Sequence, residues 1–327
     1  MKSAKIIGLG KYLPPKILTN FDLEKMVDTS DEWITTRTGI KERHLAHKNE
    51  GASVLAFEAS KIAIKNAGIK PADLDLIIVA TITPDNQFPS TACHLQNFLK
   101  AKKAACFDVS AACAGFIYAL TAAWQFIKGG LYKNALVVGS EVMSSITDWS
   151  DRSTCVLFGD GAGAVVLTDC PAKEGILSAY LGSDGAEAEM LIVPAGGSRM
   201  VATKETVEKK LHTIKMKGNE LFKVAVRVMV DAAQKALDGA GLSQKEVSIL
   251  IPHQANERII NAVAARLEVP ANRIYVNIAR YGNMSSASTV VALCEAWEEG
   301  RIRKDDIVLL DAFGAGLVWG SCAIRWA

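Results

Sequence analysis

Two segments of the chain repeat two others, in the same order and at nearly the same distance. This duplication constrains the fold more than any other feature. The first pair is 63-AIKNAGIKPADLDLIIVAT-81 and 236-ALDGAGLSQKEVSILIPHQ-254. Each reads as a helix tail, an Ala-Gly stop, a short polar link and an apolar strand. Gly68 and Gly241 fall at the helix C′ position, where glycine enters a left-handed backbone most easily. The second pair is 129-GGLYKNALVVGS-140 and 300-GRIRKDDIVLLD-311. From Ala63 to Ala236 the offset is 173 residues, and from Gly129 to Gly300 it is 171. Matching order and offset predict an internal duplication. Strands alternate with helices, and runs such as LIIVA and ALVVG are continuously apolar, which suits sheets covered by helices on both faces. We therefore expect an α/β fold of two similar halves, about 1–170 and 171–327. No linker-like stretch divides them, so they should pack as one body with a site at their interface.

Composition removes several function classes. Of 327 residues, 50% are hydrophobic, enough for a large core. The net charge is +2 and no long basic block occurs, so nucleic acid is not an expected partner. Seven cysteines lie scattered without CxxC spacing, and the opening MKSAKIIGLGKYLPP lacks the apolar core of a signal peptide. These features predict a cytoplasmic protein with free thiols, no disulfide framework and no metal site. Val109 to Ile127 carries no charge, but its first part reads as a strand end and turn. The helical part, from about Cys113, is too short to cross a bilayer, so no membrane association is expected.

Three polar residues stand at strand ends. In 108-DVSAACAGFIYAL-120, Cys113 follows a strand and opens a helix stopped by Gly129-Gly130. Unpaired amides and the helix dipole there favour a thiolate. Its small neighbours leave room for a substrate, although a buried structural cysteine also fits. His253 follows the strand VSILIP and aligns in the repeat with Ala80, so it is no part of the shared scaffold. A histidine held by core hydrogen bonds fits equally. Asn283, in YGNMSSAS, occupies in the second half the place that SAACAG occupies in the first. A plain Gly-Asn turn is the simpler reading. Otherwise, two related helix starts face each other across a pseudo-twofold axis.

Six strings, SDEWITTRTGI, DVSAACAGF, FGDGAGAVVL, IPHQANERI, YGNMSSAS and AFGAGLVWG, appear in this order over essentially the whole chain. Through them the sequence resembles the β-ketoacyl-acyl carrier protein synthase III family of thiolase-like condensing enzymes. The resemblance implies a duplicated, five-layered αβαβα body and a Cys-His-Asn triad of Cys113, His253 and Asn283. The asparagine favours the initiating synthases over relatives with a second histidine or cysteine. The implied reaction begins fatty acid synthesis. A short acyl-CoA, most simply acetyl-CoA, acylates Cys113, and malonyl-acyl carrier protein then condenses with loss of carbon dioxide. No cofactor or metal is implied.

The resemblance also implies roles around the triad. Backbone amides of Cys113 and Ala315 would form the oxyanion hole. FGAG stands where many relatives have FGGG, and alanine still supplies the amide. Phe313 would flank the cysteine, and Phe88 would cross a homodimer interface to close the partner's acyl pocket. Trp33, Arg37 and Arg152 would meet the CoA nucleotide, with adenine between the tryptophan and Arg152. Asn256 would support that site. Lys223, Gln254, Arg258 and Arg266 would meet an acidic carrier protein. Rival readings are a Cys-His-Asn condensing enzyme of a polyketide pathway, an acyltransferase that does not condense, and a non-catalytic scaffold.

Overall fold

The computed structural model of the chain describes residues 2–327. Two sheets carry it. The first contains β1 (Lys2–Tyr12), β2 (Leu76–Ala80), β3 (Ala105–Val109), β4 (Asn134–Val142) and β5 (Asp160–Pro171). The second contains β6 (Gly175–Ser183), β7 (Ile249–Pro252), β8 (Ile307–Gly314) and β9 (Val318–Arg325). Strand order is β1-β5-β4-β2-β3 in the first sheet and β6-β9-β8-β7 in the second. Beyond β7, Ile274 bridges Leu250 in parallel and occupies the place that β3 has in the first sheet. Directions also agree. β4 with β2, and β8 with β7, run parallel, while β1 with β5 and β6 with β9 run antiparallel.

Seven helices complete the layers: α1 (Asp31–Thr38), α2 (Ala52–Ala67), α3 (Thr91–Leu99), α4 (Gly115–Lys128), α5 (Gly218–Ala240), α6 (Glu257–Arg266) and α7 (Ser286–Glu298). Helices α2 and α3 cover one face of the first sheet, α4 and α7 lie between the sheets, and α5 and α6 cover the second sheet. This is the five-layered body expected from the resemblance. The strand β2 shows why its sequence is apolar throughout. Ile77 and Val79 pack outward with Leu55 and Leu95, while Leu76, Ile78 and Ala80 pack inward with Leu120 and Val290. Side chains alternate along a strand, so two covered faces demand apolar residues at every position. A third apolar cluster, with Met229, Leu250, Leu309 and Ala323, lies under α5.

The two central helices meet at their N-termini. A Cβ added to Gly115 would lie 3.5 Å from the Cβ of Ser286. On β4, a Cβ at Gly139 would stand 2.5 Å from the Ser286 carbonyl oxygen, so only glycine lets α7 approach the sheet this closely. The expected helix stops are present, with φ of 67° at Gly68 and 68° at Gly241. Helix α4 has 14 residues, and no helix among the described residues is long and apolar enough to cross a membrane.

Candidate active site

Both central helices are entered through a strained residue. Ala112 has φ 42° and Ser285 has φ 47°, a left-handed backbone that side chains with a Cβ rarely adopt. Such strain persists where the surroundings over-determine a position. Ala112 delivers Cys113 into a tight turn, Ala112–Ala114, just ahead of α4. The end of β8 presses against this turn. A Cβ on Gly314 would fall 2.6 Å from the Cys113 backbone nitrogen. Glycine there brings the following residue, Ala315, beside the cysteine, and both line one cavity.

His253 enters from β7. Its backbone N–H donates to the Asp311 carbonyl at 2.7 Å, which fixes where the ring projects. The ring is buried, and neither nitrogen has a protein partner. Buried polar groups are normally paired, so an orphaned imidazole facing a cavity marks a group awaiting a ligand. Burial pushes its pKa down to about 3, leaving a neutral ring at physiological pH. Asn283 is held at both ends of its peptide, its N–H donating to Leu157 O at 2.8 Å and its C=O accepting from Gly159 N–H at 3.1 Å. Its side-chain oxygen accepts from Ser285 N–H at 2.8 Å. That contact orients the amide and leaves its NH2 group to donate.

Cys113, His253 and Asn283 line a single cavity of about 1060 Å³, together with Phe313 and Ala315. Its inner wall is apolar, with Ile82, Met143, Leu191 and Ile214, none of which the sequence motifs single out. One expectation is corrected. The enclosure of Cys113 works against the thiolate that its helix start favours. Burial pushes its thiol up to about 12, outweighing the Ser285 hydroxyl and the backbone, which pull it down. Desolvation exceeds what a helix start supplies.

At the mouth, α1 presents Trp33 and Arg37, with the Arg37 guanidinium 4.5 Å from the indole centroid. Arg152 also lies over the ring, at 4.9 Å, and donates to Asp28 O at 2.8 Å. A base stacked between indole and guanidinium needs about 7 Å, two van der Waals layers. The space between Trp33 and Arg152 is therefore closed to a planar ring in this arrangement. Asn256 caps α6 by accepting from Arg258 N–H and donates to Arg37 O at 2.9 Å, tying the end of α1 to the histidine loop. Lys223 and Arg258 are exposed and line the mouth, whereas Arg266 is exposed at the far end of α6, away from the cavity.

Gln254 corrects a second expectation, because it is buried and cannot meet a docking protein. Its amide donates to Pro252 O at 2.7 Å and accepts from Asn277 N–H at 2.9 Å, bracing the histidine loop. Phe88 lies outside the cavity and is 85% exposed. The motifs also pass over Glu141, a carboxyl buried on β4 close to Cys113. A glutamate inside the apolar run ALVVGSEV was the available signal. Among the described residues, no group of three or more His, Cys, Asp or Glu is placed to hold a metal ion.

Comparison with known proteins gives concordant matches. Residues 107–185 match the family described as 3-oxoacyl-[acyl-carrier-protein (ACP)] synthase III, and residues 237–326 match its C-terminal family. The chain is 57% identical to a Caldanaerobacter subterraneus subsp. tengcongensis protein called beta-ketoacyl-[acyl-carrier-protein] synthase III, over 99% of this chain and 98% of that one. The crystal structure of 3-oxoacyl-[acyl-carrier-protein] synthase III from Aquifex aeolicus superposes with a TM-score of 0.91 at 52% identity, covering 99% of this chain and 100% of that one. The priming beta-ketosynthase of a polyketide biosynthetic pathway superposes with a TM-score of 0.90 at 35% identity, covering 99% and 96%.

Proposed function

The chain belongs to the β-ketoacyl-[acyl-carrier-protein] synthase III family, and from that premise we propose that it condenses a short acyl-CoA with malonyl-acyl carrier protein, starting a fatty acid chain through an acyl-Cys113 intermediate. The observation that carries this reading is the convergence of Cys113, the unpaired His253 ring and the Asn283 amide on one cavity with Trp33 and Arg37 at its mouth.

In the first half-reaction the Cys113 sulfur attacks the thioester carbonyl. The thiol proton passes to the departing CoA sulfur, with the neutral His253 ring as carrier. The Cys113 and Ala315 amides hold the tetrahedral oxyanion. Burial raises the Cys113 thiol, so its proton leaves as the sulfur attacks and not before. In the second half-reaction malonyl-acyl carrier protein loses carbon dioxide, and charge moves to its thioester oxygen. The His253 N–H and the Asn283 NH2 donate to that oxygen, which suits a neutral ring and an amide whose own oxygen is already engaged. The enolate carbon attacks acyl-Cys113 and releases the β-ketoacyl product and the Cys113 thiolate, which takes up one proton from solvent to restore the thiol. No external electron donor or acceptor enters either step, so the reading calls on no redox cofactor.

Trp33, Arg37 and Arg152 would receive the CoA nucleotide, and Asn256 would hold their helix against the histidine loop. Lys223 and Arg258, with Arg266 as an outlying charge, would draw in an acidic carrier protein. Phe88 would be covered by a second copy of the chain in a cytoplasmic homodimer. The likeness to a polyketide priming enzyme makes the malonyl donor the point to test. Intact-protein mass spectrometry after acetyl-CoA, then malonyl-acyl carrier protein, should show an acetyl adduct that the second substrate clears as acetoacetyl-carrier protein. Cys113→Ala should show none. Clearance by malonyl-CoA alone would move the enzyme to another pathway, and absence of any short-acyl adduct would overturn the reading.

A further inference from the structure

Glu141 is fully buried near the end of β4, and the mechanism above does not use it. Its Oε2 accepts from the Ile82 N–H at 3.1 Å, the Thr81 hydroxyl at 3.2 Å and the Thr83 hydroxyl at 2.7 Å. Those hydroxyls are themselves oriented. Thr83 accepts from Val142 N–H at 2.8 Å, and Thr81 accepts from Thr83 N–H at 3.1 Å. On the other side, Glu141 Oε1 lies 2.9 Å from the Ser286 hydroxyl and accepts from the Ser286 backbone N–H at 3.4 Å.

The Ser286 hydroxyl oxygen is also 2.8 Å from the Ala80 carbonyl oxygen. A hydroxyl carries one proton, and a carbonyl can only accept. Either one Ser286 proton is shared between the two oxygens, or Ser286 donates to Ala80 and Glu141 donates to Ser286. In the second arrangement Glu141 carries a proton. Burial, with no cation among its bonded partners, raises its pKa and outweighs the donors Thr83, Ile82, Ser286 and Ser285, which pull it down. This one carboxyl ties the segment after β2 and the end of β4 to the first turn of α7. The residues just before that turn are Asn283, whose side-chain oxygen is held by Ser285 N–H, and Ser285, whose hydroxyl lies beside both Cys113 and Glu141.

We propose that Glu141 is a positioning residue, an uncharged carboxylic acid that pins the Asn283–Ser286 turn to the first sheet and so sets Asn283 against Cys113. The inference rests on Cys113 being the acylated thiol. Neutrality matters as well as the bonds, since a carboxylate here would oppose formation of the Cys113 thiolate. Cys113 is the titratable group that shares this site, and Thr81, Thr83, Ser285 and Ser286 packed around the carboxyl do not titrate.

Glutamine keeps the acceptor oxygen on one side and supplies an NH2 that donates to the Ser286 hydroxyl on the other, losing only the long bond from the Ser286 N–H. The test compares wild type, E141Q, E141D and E141A. It reads kcat and KM with acetyl-CoA and malonyl-acyl carrier protein, and the pH dependence of Cys113 alkylation by iodoacetamide. E141A should lose about 100-fold in kcat with little change in KM, because a displacement of order 1 Å suffices for that. E141Q should rescue most of the loss, and its alkylation profile should overlay that of the wild type. E141D, one methylene too short, should behave like E141A and stands in for it should E141A not fold. Wild-type turnover in E141A or E141D would overturn the positioning role. A shift of the E141Q alkylation profile to lower pH by about one unit would show that the native carboxyl is charged. If the wild type forms no acyl-Cys113, the reading of the active site fails separately, and the alkylation profiles still decide the charge of Glu141.

Discussion

The chemistry of this site depends on keeping His253 neutral without a protein partner for either nitrogen. Burial lowers its pKa from 6.5 to about 3. The unfolded chain takes up this proton below about 6.5, whereas the folded one waits until about 3. Between those values the unfolded state binds more protons, so stability is complete above the upper value and falls as pH drops. The loss for one such group is about 1.4 kcal/mol per pH unit. Urea unfolding between pH 7 and pH 4 should therefore show a steeper decline for the wild type than for His253→Ala, and equal slopes would contradict the burial of a neutral ring. Cys113 has the opposite sign: its thiol, raised from 9.0 to about 12, withdraws stability as pH climbs through that window.

Elements meet at this site through glycines whose missing side chains admit backbone. Gly314, at the end of β8, is the clearest case, because a Cβ there would stand 2.6 Å from the Cys113 nitrogen. Gly314→Ala should displace that amide and slow acyl-Cys113 formation by at least about 100-fold, the usual loss for one oxyanion donor. Gly68, which ends α2 with φ 67° and has nothing within 4 Å of a built Cβ, is the matched control. Gly68→Ala should cost about 1 kcal/mol of stability through its left-handed backbone and leave the acylation rate unchanged. Rapid-quench mass spectrometry with thermal melts separates the two outcomes. The Ala-Gly stops were legible in the sequence because a helix end is a local event. The approach of Gly314 to Cys113 was not written in any local pattern, because it joins residues 201 positions apart, and only the family resemblance implied it.

At the scale of the whole molecule, the duplication sets a pseudo-twofold arrangement in which β3 is the edge of the first sheet. Phe88, 85% exposed, stands on the loop before α3, and Phe107 lies on β3 itself. An exposed phenylalanine near an open sheet edge is a surface that another chain should cover. Light scattering should find two copies at micromolar concentration, and Phe88→Asp should shift the population toward single chains. A wild-type monomer under those conditions would refute the expected dimer.

The repeated strings, the glycine stops and the apolar strand runs placed the two related sheets, since period and turn chemistry are written locally. The ordered motifs placed Cys113 and His253 after strands for the same reason, whereas Asn283, also expected at a strand end, follows the short helix Ile278–Tyr281. What local pattern could not decide was what covers each side chain. Cys113 was expected as a thiolate from its helix start, but segments from both halves enclose it, and desolvation reverses the balance. Gln254 sits in the same motif as His253, yet Tyr275 and Asn277 close over it and make it a brace. Arg152 already rests on Trp33, and Glu141 reaches Ser286 across 145 residues of chain. The sequence by itself determined which residues could do chemistry and on which elements they stand. Their charge states and partners were decided by tertiary structure alone, because burial and hydrogen bonding are set by whichever distant segments fold over a group.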